Sequence, residues 1–178
     1  SLRSLMFDNI NRLNYEASEW VNFLAKKGYS IETSKIPGIL GLGVKQGRFA
    51  AAYYPKQGYL VGEIDFHEKA KNIIARYGID DAEGIEAMKR AVLLHEFGHV
   101  LGIEGDRKGE RFQGMLQAEF YSMMAERFKG TNMEKIYRAL AREGSDYARW
   151  YSKFRLFDAE SEKDTSIDFE LDDKLKEL

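Results

Sequence analysis

The chain of 178 residues contains only two prolines, Pro37 and Pro55. A proline inside a helix removes a backbone hydrogen bond and clashes with the preceding turn. Long helices are therefore permitted on either side of this short segment, and anything other than helix is expected within it. Gly38, Gly41, Gly43 and Gly47 punctuate the same region too densely for a helix. From Arg48 to Tyr54 and from Tyr59 to Phe66 the pattern alternates, with Pro55-Lys56-Gln57-Gly58 supplying turn chemistry between them. Leu60, Ile64 and Phe66 share one face of the second strand, and Tyr59, Val61, Glu63 and Asp65 the other. A β-hairpin is expected here, and with it an α+β fold in which helices flank a small sheet.

Helical periodicity fills the rest. Ile10, Leu13, Ala17, Trp20, Val21 and Leu24 recur at helical spacing, predicting a helix from about Asp8 to Lys27 that Gly28 terminates. Further helices are predicted over Glu68–Tyr77, Ala82–Leu101, Gln113–Lys129, Met133–Arg142 and Ser145–Phe157. The composition, 44% hydrophobic and 31% charged, is that of a globular chain able to bury a core. Residues 1–157 read as one domain. Residues 158–178 carry nine acidic side chains against three lysines, a local charge of −6 that leaves the body at +4. A solvated acidic tail is the simplest reading of them.

The word that carries chemistry is His95-Glu96-Phe97-Gly98-His99. Residues four apart on a helix lie one above the other, so both imidazoles can reach one metal ion. Glu96 stays close enough to accept a proton from a metal-bound water and hand it to a leaving amine. With three histidines and 18 glutamates in the chain, independent placement yields about 0.005 matches to this pattern. Chance is a poor explanation. The absence of cysteine restricts any metal to His, Asp and Glu ligands.

From Ala91 to Phe128 the sequence resembles the zincin metallopeptidases, whose mark is H-E-x-x-H. The resemblance implies a zincin-like arrangement: a small mixed or antiparallel sheet packed on an active-site helix, with further helices downstream. It implies Zn2+ as cofactor, a peptide or protein as substrate, and a strand within Arg48–Phe66 as the edge on which extended substrate pairs. The longer metzincin motif continues through Gly102 but places Gly105 where the third ligand belongs, with Asp106 one residue late.

The gluzincin type fits better, because its third ligand is a glutamate on a downstream helix and Glu119 lies twenty residues past His99. Ala118-Glu119-Phe120-Tyr121-Ser122 is similar to that group's N-E-x-x-S, with Ala118 in place of Asn and Met123 in place of an orienting Asp. Independently of the resemblance, Phe112, Leu116, Glu119, Met123 and Glu126 form one helical stripe, apolar at three of five positions. A carboxylate on a core-facing stripe needs a cation. Glu119 is the preferred ligand, followed by Glu126, with Glu104 and Asp106 behind.

His67, the remaining histidine, reads as a surface or capping residue. Tyr121, Tyr137, Tyr147, Tyr151 and His67 are all open as oxyanion donors, and spacing selects none. The leading expectation is a zinc metallopeptidase. The alternative is a latent or non-proteolytic protein on the same scaffold, a binding or regulatory module whose acidic tail covers the metal. A net charge of −2 with scattered basic residues argues against nucleic-acid binding. No apolar run approaches a membrane span and no signal-peptide pattern opens the chain, so no membrane partner and a cytoplasmic location are expected. Oligomeric state is left open.

Overall fold

In the computed structural model, residues 2–29, 51–54, 59–62, 66–100, 103 and 106–155 are described. Side chains at 2–10, 51–54, 59–62, 66, 96, 97, 99, 100 and 152–155 are not among those described. The glycine-rich stretch from Gly38 to Gly47, the turn at 55–58, Glu104, Gly105 and the acidic tail at 158–178 therefore lie outside the described residues.

Five helices and one short ladder form the described chain: α1 (Leu2–Lys26), β1 (Ala51–Tyr54), β2 (Tyr59–Gly62), α2 (Phe66–Ala75), α3 (Ala82–Val100), α4 (Arg107–Arg127) and α5 (Asn132–Arg155). The expected α+β class is overturned. The fold is helical, and the only extended pairing among the described residues is the antiparallel ladder of Ala51–Tyr54 with Tyr59–Gly62. Two four-residue strands make no sheet layer. Of the expected strand Tyr59–Phe66 the structure describes Tyr59–Gly62 as extended, and Phe66 opens α2 instead. Within the first unit α2 and α3 pack chiefly on each other, and the short ladder lies against both of them, too small to form a layer of its own.

The chain separates into two compact units, Ser1–Gly102 and Ile103–Leu178. In the first, Leu13, Ala17, Trp20, Val21 and Leu24 of α1 are buried at the expected spacing. Ala70 and Ile74 of α2 and Ala87, Met88, Ala91 and Leu94 of α3 are buried too. Gly28 ends α1 as expected. Its φ of +100° is accessible to glycine at little cost. The Gly28 amide donates to the Ala25 carbonyl at 3.1 Å and the Tyr29 amide to the Leu24 carbonyl at 3.0 Å, the paired closure of a Schellman cap. Gly78 closes α2 the same way at φ +80°, its amide donating to Ala75.

The second unit is a helical hairpin of α4 and α5. Two separate helices were expected over Met133–Arg142 and Ser145–Phe157, but α5 runs unbroken through Gly144. A Cβ on Gly144 would lie 2.8 Å from the Gly114 carbonyl oxygen and 2.9 Å from the Ala118 amide. A Cβ on Gly114 would lie 2.9 Å from the Gly144 oxygen. Both glycines therefore serve close approach of two helix backbones, and packing offsets their poor helix propensity. Around the crossing, Tyr121 and Tyr137 stack at 6.0 Å, and Phe120 and Phe128 extend the aromatic cluster. Among the described residues no helix is long and apolar enough to cross a membrane.

Candidate metal centre

The histidine motif sits at the C-terminal end of α3, and the helix begins with well-defined stereochemistry. The carboxylate of Asp81 accepts a hydrogen bond from the Gly84 amide at 2.8 Å, an N-cap. A Cβ at Gly84 would collide with Ile79 Cγ2 and lie 2.9 Å from Asp81 Oδ1, so this turn admits only glycine without rearrangement. From there α3 is continuous to Val100. Positions 95 and 99 therefore lie on one face, separated by about 6 Å along the axis. Leu93 and Leu94 beside them are buried at 6% and 0% exposure, and His95 is half-buried. An imidazole at such a boundary can reach both a metal ion and solvent. The side chains of Glu96 and His99 lie outside those described.

Glu119 stands on α4 in the second unit and is half-buried. The stripe that singled it out runs along the margin of the buried face. Leu116 is buried, Phe112, Glu119 and Met123 are half-buried, and Glu126 is exposed. The fully buried positions of α4 are offset from it, among them Arg111, Ala118, Phe120, Tyr121, Met124 and Ala125.

Two of the alternative ligands are engaged elsewhere. Glu126 accepts from Arg138 at 3.0 Å, and that hydrogen bond, with Lys129 nearby, holds its carboxyl below the usual range. Asp106 is the N-cap of α4, accepting from the Gly109 amide at 2.8 Å. Among the described side chains, which do not include His99, no three His, Asp or Glu residues form a metal-holding group. Imidazole, the donor type at positions 95 and 99, suits zinc.

The open oxyanion candidates separate by environment. Tyr121 and Tyr137 are 1% and 0% exposed inside the aromatic cluster, closed off from solvent. His67 is exposed on the first turn of α2. The Tyr147 hydroxyl donates to Glu110 and lies 3.3 Å from that of Tyr151. Burial, reinforced by the Glu110 hydrogen bond, pushes the Tyr147 hydroxyl above the usual tyrosine range.

A further charged contact was not anticipated. Glu16 of α1 accepts from Nε of Arg90 on α3, with side chains 0% and 2% exposed. Its signal is present in the sequence, since Glu16 interrupts the Leu13–Ala17–Trp20 stripe as Glu119 interrupts its own. The sequence matches no protein-family model, no curated protein and no solved structure.

Proposed function

We propose that this chain is a zinc-dependent metallopeptidase that hydrolyses peptide bonds of a peptide or protein substrate. The observation that carries the reading is the unbroken helix Ala82–Val100, which sets His95 and His99 one turn apart on a single face. His95 and His99 would hold the zinc, with Glu119 as third ligand. Bound zinc supplies a Lewis acid that polarises a carbonyl and makes water acidic enough to lose a proton near neutral pH. Glu96 would serve there as general base and then as general acid toward the leaving amine. A carboxylate immediately beside a ligating histidine is well placed to do both.

Glu119 is preferred as third ligand for its spacing twenty residues past His99, ahead of Glu126, Glu104 and Asp106. Glu96→Gln tests the chemistry separately from the metal. The variant is expected to bind zinc like wild type and to lose peptide hydrolysis by a factor on the order of 10²–10⁴, the range for removal of a general acid–base group. Unchanged turnover of a quenched peptide library by Glu96→Gln would show that Glu96 is not the base.

A further inference from the structure

The buried Glu16–Arg90 pair joins α1 to the helix that carries the histidines. Taking the Glu16 carboxylate out of water is costly. Burial pushes the Glu16 carboxyl up from its ordinary value of 4.5 more strongly than Arg90 and Arg12 draw it down. Among the described residues, no donor reaches Glu16 Oε2, although the atom is buried. A buried ion pair with an unfilled acceptor is generally no more stable than two apolar side chains of similar volume. What such a pair does provide is direction. Arg90 Nε–H must point at Glu16 Oε1, whereas a Leu or Met can pack over a range of rotations.

The helical register gives that direction a consequence. Position 95 lies about 140° around α3 from Arg90, and position 99 about 180°. The pair holds the side of α3 opposite positions 95 and 99. We infer that Glu16 and Arg90 are positioning residues that fix the rotation of α3 about its axis, so that positions 95 and 99 face the metal. This rests on the zinc reading above.

The test uses the full chain, with zinc alone as probe, and reads zinc affinity by chelator competition beside thermal unfolding of the metal-free protein. Glu16→Leu combined with Arg90→Met replaces the pair by apolar side chains. It is expected to melt at or above the wild-type temperature yet bind zinc about tenfold more weakly, the lower end of the cost of losing a ligand-orienting contact. Glu16→Gln keeps the shape and the acceptor for Arg90 Nε, and is expected to bind zinc within about threefold of wild type. Should the double variant not fold, Arg90→Lys, which keeps the charge but lacks the Nε–H donor to Glu16, is expected to bind zinc about tenfold more weakly, and wild-type affinity in it overturns the orienting role. Wild-type zinc affinity in a folded double variant overturns it equally, while leaving the metallopeptidase reading intact. A wild-type chain that binds no zinc overturns both together.

Discussion

Replacing Gly144 by alanine should destabilise the protein even though it improves the local helix former. In an ordinary helix interior, Gly→Ala gains about 1 kcal/mol. At this position the added Cβ lies 2.8 Å from the Gly114 carbonyl oxygen and 2.9 Å from the Ala118 amide nitrogen. Both obstacles are backbone atoms held in a helix, so neither can rotate aside, and α4 and α5 must separate. Overpacking of this kind costs about 1–3 kcal/mol, and two backbone contacts below 3 Å place it at or beyond the upper end. The net loss is about 2 kcal/mol, or roughly 4–8 °C in melting temperature for a chain of this length. Urea unfolding followed by far-ultraviolet circular dichroism measures it. A Gly144→Ala variant as stable as wild type would mean that helix propensity decides at this position, and the close-crossing argument fails.

Three further outcomes follow from the described contacts. Tyr147→Phe leaves the buried Glu110 carboxylate without its hydroxyl donor, and should cost about 1–3 kcal/mol in urea unfolding. Because the folded hydroxyl of Tyr147 is held above its ordinary value of 10.0, its contribution is complete below pH 10 and is lost as pH rises through the raised value. The gap between wild type and Tyr147→Phe should accordingly close only in strong alkali, and a gap that widens there contradicts the argument. Asp106→Ala removes the N-cap of α4 and should cost about 1 kcal/mol, a loss that an unchanged urea midpoint would disprove. In zinc titrations Glu119→Ala should lose on the order of tenfold in affinity. Glu126→Ala, which breaks only an exposed pair with Arg138, should bind as wild type. The reverse ranking would transfer the ligand role to Glu126.

The helices were legible because their signals are local. The α1 stripe and its Gly28 stop reappear as buried side chains and a left-handed glycine. The extent of α3 was legible too, from its start at Ala82 to within one residue of its observed end at Val100. What local pattern could not convey was the use of glycine across helices. Gly144 reads as a breaker in one dimension and acts as a contact surface in three. Alternation between Arg48 and Phe66 was over-read as a sheet layer, because a paired ladder and a sheet that covers a core look alike over eight residues. The start of α4 lies six residues before the expected Gln113, since Arg107–Arg111 is polar and its helix signal is the Asp106 cap rather than an apolar repeat. At the candidate centre, the i, i+4 spacing of the histidines required a helix and the structure contains one. The Glu16–Arg90 pair was missed because its two halves are 74 residues apart.

The most direct test of the central claim is zinc stoichiometry and affinity of the full chain beside His95→Ala and His99→Ala. The account predicts one tightly bound zinc per wild-type chain, and loss of at least tenfold in affinity in each single variant. Retention of wild-type affinity by either variant, or a wild-type chain that binds no zinc at all, would contradict it.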